Sequence, residues 1–203
     1  MARHSQANGA EAHSTSSGRD RAIEVLLDKE AIRDCLARFC HGFDRGDADI
    51  VKSAYWPDAT EDHAGSYEGP VYPWVDEIVE FLRARHSTWK THGINLIRIS
   101  GEEADVESYL FAVSNLPDAA GDDRLVLTGA RYLDRMQKRA GEWRILRRVA
   151  VVDWFLDVDP VDYSKGMLGA PKTFGTFYPD DPASKFFGGG KRIISDNESI
   201  RKI

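Results

Sequence analysis

Near Thr91 the hydrophobic pattern changes period, and this change restricts the fold more than any other feature of the chain. Upstream of it, Ile23, Leu26, Leu27, Ile32, Leu36, Phe39, Cys40 and Phe43 recur at three- and four-residue intervals, the stripe of an amphipathic helix. Gly42 and Gly46 close that helix. A short second helix is predicted over 47–55, stopped by Pro57, and a third over 74–89 with Trp74, Ile78, Phe81 and Leu82 on its apolar side. Downstream the repeat falls to about two, the strand period, in 92–100, 105–115, 125–135 and 143–157. Gly101–Glu102 and Gly141–Glu142 stand where hairpin turns are needed. Helices followed by a meander predict an α+β fold, not a parallel sheet with alternating helices.

The helical and strand patterns together span 22–157, which is read as one domain. Residues 1–21 are rich in Ser, Gly, Ala and His without periodicity and read as a disordered tail. Residues 158–203, punctuated by Pro160, Pro171, Pro179, Pro182 and Gly188 to Gly190, read as an extended arm over the pocket or a neighbouring subunit. Both faces of 149–155 are apolar, so that strand is expected to be covered on two sides. A sheet bent around helices leaves a cavity between the layers, the default place for a ligand.

Charge and composition narrow the partners. The chain has 33 acidic and 27 basic residues and a net charge of −6, which argues against nucleic acid or an anionic membrane as partner. No apolar run approaches the roughly 18–20 residues that span a bilayer, and the N-terminus lacks the apolar segment of a signal peptide. Cys35 and Cys40, five apart in one helix, lie about 8 Å from each other at about 1.5 Å rise per residue, too far for a comfortable disulfide. Reduced thiols and the absence of a leader make a cytoplasmic location the expectation.

No phosphate-binding glycine loop, dinucleotide fingerprint or serine-hydrolase elbow is present, and no cofactor is expected. His41, Asp44, Asp62, His63 and His92 show no short ligand spacing, so no metal is expected either. His92 opens the first long strand and Asp44 closes the first helix in HGFDRGD. At the mouth of a helix–sheet cavity a carboxylate can fix the tautomer of an imidazole and leave its other nitrogen as a general base. A helix-end carboxylate and a strand-end polar residue account for the same two positions without chemistry. Asp153 interrupts the apolar VVDWF run; it is either paired, with Arg148 or Arg131, or faces the pocket.

The segments KEAIRDCLARFCHGFDRGD, YWPDA, YEGP, THGINL and AGEWRILRR resemble the SnoaL-like branch of the nuclear transport factor 2-like superfamily, over about residues 24–157. The resemblance implies a cone-shaped α+β barrel, a curved antiparallel sheet wrapped around three helices. The pattern is similar to hexachlorocyclohexane dehydrochlorinase and, more loosely, to bile acid 7α-dehydratase, scytalone dehydratase and the deformylating diarylpropane lyases. It implies Asp44 and His92 as a catalytic dyad, Trp56 as a pocket residue and Arg148 as the pocket arginine that stabilises developing negative charge. Phe39 stands where the dehydrochlorinase has a lysine and the bile acid enzyme a tyrosine, so a leaving group other than halide is implied. Tyr55, Tyr109 and Tyr132 are candidate acids, or simply core residues.

An aromatic set of Phe39, Phe43, Tyr55, Trp56, Phe111, Tyr132 and Trp154 suits a flat, largely apolar ligand, although core packing explains most of it equally well. The expectation is a cofactor-independent lyase of dehydratase or deformylating type acting on an aromatic or polycyclic small molecule, with Asp44 and His92 catalytic. Phe39, Tyr55, Trp56, Tyr132, Arg148, Asp153 and Trp154 are its expected substrate contacts. A lignin-derived diarylpropane releasing formaldehyde is one such substrate. A related isomerase or a non-catalytic binding module of the same fold is the alternative, and association into a homodimer or homotrimer is expected.

Overall fold

The structure, a computed structural model, describes residues 7–84, 88–159, 173 and 175–186. Helix α1 (Ala7–Asp44) leads into a short α2 (Ala48–Ser53). Strands β1 (Tyr55–His63) and β2 (Glu68–Pro70) follow, then α3 (Val71–Arg83). Four long strands come next: β3 (Thr88–Ser100), β4 (Glu103–Pro117), β5 (Asp123–Arg139) and β6 (Glu142–Val158). A final turn of helix is α4 (Pro182–Phe186).

The expected tail is helical from Ala7 onward, and residues 1–6 lie outside the described residues. Once the packed turns of α1 are fixed, each further residue adds a backbone hydrogen bond with no new nucleation cost. Full burial of the apolar stripe starts at Ile32: Ile32, Cys35, Leu36, Phe39 and Phe43 are buried, whereas Ile23, Leu26 and Leu27 of the same stripe are exposed. Both cysteines are free thiols. Asp47 caps α2, its carboxylate accepting the N–H groups of Asp49 and Ile50 at 3.1 and 3.2 Å. Helix α3 ends earlier than its pattern suggests and buries Val71, Trp74, Val75, Val79 and Leu82, while Phe81 faces solvent.

The sheet runs β2-β1-β6-β5-β4-β3. It is curved and unclosed, with the helices on its concave side, so the α+β cone is the observed architecture. One correction concerns strand direction. The meander is antiparallel as expected, but β1 pairs parallel to β6, so the sheet is mixed. Gly101 (φ 61°) and the Ala140–Gly141 pair (φ 51° and 83°) take the left-handed conformation that the two hairpin turns require.

Register shifts in β6 between the partners of Arg135 and Met136, and of Gly129 and Ala130, reset its alternation. Trp143, Ile145, Arg148 and Ala150 consequently point inward, which strict alternation along the sequence does not give. The last turns of the strand, Val152 to Leu156, are exposed, so the cover expected on its second face is not supplied by the described residues.

Of the C-terminal arm, residues 175–186 brace the end of α1. The Tyr178 N–H donates to the Arg45 carbonyl at 2.8 Å, Arg45 pairs with Asp181 at 2.6 Å, and Arg83 stacks over Phe177 at 5.4 Å. Residues 160–172, 174 and 187–203, the rest of the expected arm, lie outside the described residues. Among the described residues no helix is long and apolar enough to cross a membrane.

Candidate functional site

Strand β1 supplies a group the sequence pattern conceals. Ala59, Glu61 and His63 alternate onto the concave face, held there by parallel pairing of Glu61 with Arg148 and of His63 with Ala150. His63 Nδ1 lies 2.9 Å from Glu61 Oε1. The other Glu61 oxygen accepts the Tyr55 hydroxyl at 2.9 Å, and Tyr55 in turn accepts from Arg148 Nη1 at 3.2 Å. Burial pushes the Tyr55 hydroxyl well above its usual range, which keeps it a proton donor to Glu61.

Arg148 is locked behind this chain by two 2.7 Å bonds to Asp134, and neither side chain is exposed. Its guanidinium packs against the rings of both Phe39 (4.1 Å) and Tyr132 (4.0 Å), which meet edge-on beside it. Five groups thus form one connected line, Asp134–Arg148–Tyr55–Glu61–His63. A carboxylate that holds Nδ1–H leaves Nε2 of His63 as the free acceptor.

His63 opens onto a cavity of about 260 Å³ between the sheet and α3, where it packs against Trp74 with ring centroids 4.9 Å apart. The other walls are Phe43 of α1, Lys90 of β3, Leu110 of β4 and Tyr132 of β5. Most of the lining is apolar, and His63 and Lys90, on strands near opposite edges of the sheet, carry its basic nitrogens.

Asp44 and His92 both lie at the seam of α1 and β3, but no direct hydrogen bond joins them. Asp44 Oδ1 accepts the Lys90 backbone N–H at 2.9 Å, and burial raises the carboxyl to about 7. The His92 ring stacks on Phe39 at 5.7 Å and meets Tyr132 edge-on at 5.4 Å. Both of its ring nitrogens are enclosed without a hydrogen-bond partner. Burial, reinforced by the charges of Arg148 and Lys90, lowers His92 to about 3.

The remaining expected contacts divide. Tyr132 lines the cavity; Phe39, Tyr55 and Arg148 stand behind it in the buried network. Three lie elsewhere. Trp56 donates its indole N–H to the Gln137 carbonyl and sits under Arg139 and Arg144, each 4.9 Å away, near the tip of the β5–β6 hairpin. Asp153 is paired with Arg131 at 2.9 Å on the exposed side of the sheet, which settles its two alternatives in favour of pairing. Trp154 lies on that side against Phe111, covering Gly129, where an added Cβ would fall 2.2 Å from the indole. The first register shift turns Arg148 inward and Asp153 outward, and the second, beside Gly129, turns Trp154 outward.

Sequence reasoning missed Glu61 and Lys90 and weighed His63 only as a metal ligand. The available signal was the alternation Ala59, Glu61, His63, obscured by Pro57 and by two acidic residues in so short a run. Among the described residues no group of three His, Cys, Asp or Glu side chains is placed to hold a metal ion.

The sequence profile of the SnoaL-like domain family matches residues 24–149. No curated protein matches the chain. Among solved structures, it is similar to hexachlorocyclohexane dehydrochlorinase LinA-type3 from Novosphingobium barchaimii LL02 (17% identity, 70% of this chain and 97% of that one, TM-score 0.61). It is also similar to a protein described as a scytalone dehydratase from Novosphingobium aromaticivorans (17% identity, 69% and 93%, TM-score 0.59). At these identities the likeness is one of fold.

Proposed function

We propose that this chain, which belongs to the SnoaL-like domain family, is a cofactor-independent lyase for an aromatic or polycyclic small molecule, with His63 as its base. The observation that carries the reading is an imidazole facing an apolar, aromatic-walled cavity while its Nδ1 is held by a carboxylate that is itself 1% exposed. His63 Nε2 takes a proton from the substrate carbon, and the C–H electron pair becomes the new double bond. The neighbouring hydroxyl then leaves as water, carrying the proton that the imidazolium returns. Glu61 stabilises the imidazolium while it exists. Tyr132, kept protonated because burial raises its hydroxyl, donates a hydrogen bond to the leaving oxygen. In a diarylpropane the same base takes the hydroxymethyl O–H proton. The C–C electron pair then forms the alkene, and formaldehyde and water depart.

The test is turnover of hydroxylated diaryl, steroid and polyketide compounds by wild type and variants. His63→Ala is expected to lower kcat/KM by roughly 10²–10⁴, and Glu61→Gln by about 10–100-fold with the fold retained. If His63→Ala stays active while Asp44→Asn and His92→Ala fail, the base is the Asp44–His92 pair instead. If wild type turns over nothing, the chain is a binding module.

Self-association is part of the same proposal. Trp89, Phe111 and Trp154 form a row on the sheet face away from the helices, with ring centroids 6.2 and 6.0 Å apart, beside exposed Ile94, Leu96 and Tyr109. A homodimer or homotrimer burying this row is expected in light scattering, and Trp154→Glu is expected to dissociate it. A monomeric wild type defeats that part of the proposal.

A further inference from the structure

We infer that Lys90 is the anchoring cation of the cavity, so that the ligand carries an acidic oxygen, a carboxylate or phenolate, at the end remote from His63. The inference rests on the lyase reading only for what happens at the His63 end. The lysine reaches the cavity from β3, with its Nζ 2.9 Å from Thr88 Oγ1 and 4.7 Å from the centre of the Phe43 ring.

Among the described residues no carboxylate lies within salt-bridge distance of this ammonium. Asp44, the acid nearest in sequence to this end of the cavity, uses Oδ1 on the Lys90 backbone N–H instead. Thr88 occupies one of the three ammonium donors, and the Phe43 face is a weak partner for the charge. A cation kept in apolar surroundings without a counter-ion is costly, and a ligand oxygen that brings the charge removes that cost. Burial accordingly lowers the Lys90 pKa, with Asp44 opposing the shift.

Strand order supplies the geometry. Lys90 on β3 and His63 on β1 stand on strands separated by β4, β5 and β6, with Leu110, Ala130 and Tyr132 lining the floor between them. A flat molecule that places its anionic oxygen on Lys90 extends its rings along the cavity past the Phe43 and Trp74 side chains and delivers its far end to His63. Specificity follows from the same arrangement, because a neutral analogue leaves the ammonium unpaired.

The experiment measures binding to the full chain through quenching of tryptophan fluorescence, with 2-naphthoate against the isosteric neutral 2-naphthamide at neutral pH. Wild type is expected to prefer the carboxylate by about 10–100-fold, the range of a charge-assisted hydrogen bond. Lys90→Met is expected to abolish the preference, mainly by weakening naphthoate binding, and Lys90→Arg to keep it. 4-Nitrophenol tests the phenolate source, its yellow band growing on binding to wild type but not to Lys90→Met. Equal affinity of wild type for naphthoate and naphthamide, with no nitrophenolate band, overturns the inference. So does a preference that survives in Lys90→Met. His63→Ala is expected to retain the preference, so loss of turnover there with selectivity intact separates this inference from the lyase reading.

Discussion

Arg148→Met alone is expected to cost about 3–5 kcal/mol of folding stability, whereas Arg148→Met combined with Asp134→Leu recovers most of the loss. The single change leaves the Asp134 carboxylate at 3% exposure without the two 2.7 Å donors that offset its desolvation. The double change removes both charges and leaves apolar side chains among Phe39 and Tyr132, the rings that enclose the guanidinium. Urea titration of wild type, Arg148→Met and the double variant reads the effect directly. An Arg148→Met variant losing under about 1 kcal/mol, or a double variant less stable than Arg148→Met, contradicts this account.

Activity should part from stability in the double variant. Tyr55 loses its donor, and nothing then fixes the hydroxyl that holds Glu61 against His63. Turnover is expected to fall about 10–100-fold in a protein that folds well. Arg148 is in this sense a positioning residue, which differs from the charge-stabilising pocket role that resemblance implied for it. Its guanidinium is committed to Asp134 and Tyr55 and does not line the cavity.

The elements legible in the sequence were those whose burial repeats regularly. The packed half of α1 and the four strands β3 to β6 each present several turns or residue pairs to one apolar layer, and the period shows. Strand β1 escaped because its inward residues are Ala59, Glu61 and His63, of which two are polar and buried only through their mutual bonds. Periodicity registers hydrophobicity and is silent on a carboxylate satisfied by Tyr55 and an imidazole. Trp154, and Asp153 in its pocket-facing alternative, were misplaced for a different reason. A bulge adds one residue to a strand without any mark in its composition, and every later side chain changes face. Trp56 was assigned by likeness to relatives, whereas here the cations at 139 and 144 hold it near the hairpin tip. Lys90 was invisible because a lysine beside a turn reads as solvated surface until the helix that covers it is in place.

Asp44→Asn and His92→Phe are expected to tilt stability against pH in opposite directions, although wild type stays nearly flat in the contribution of these two groups. Asp44 is raised from 3.8 to about 7 by burial, and His92 is lowered from 6.5 to about 3 by burial and by the charges of Arg148 and Lys90. Between pH 3.8 and 6.5 the unfolded chain therefore carries its proton on the imidazole, and the folded chain carries it on the carboxyl. Proton counts match, the two slopes cancel, and folding moves one proton from His92 to Asp44.

Removing either group exposes the other. With Asp44→Asn the unfolded state binds the extra proton, so stability falls as pH drops through this window, by about 1.4 kcal/mol per pH unit or roughly 3 kcal/mol over two units. With His92→Phe the folded state binds the extra proton on Asp44, and stability rises by a similar amount as pH drops. Asn keeps an oxygen for the Lys90 N–H, so the first variant tests charge and not the loss of that bond. Chemical denaturation at several pH values between about 4.5 and 6.5 measures the slopes. If wild type and both variants share one slope, Asp44 and His92 are not a neutral pair in the folded protein. In that case His92 keeps the basicity of an ordinary imidazole in the fold, which is what an Asp44–His92 general-base mechanism needs.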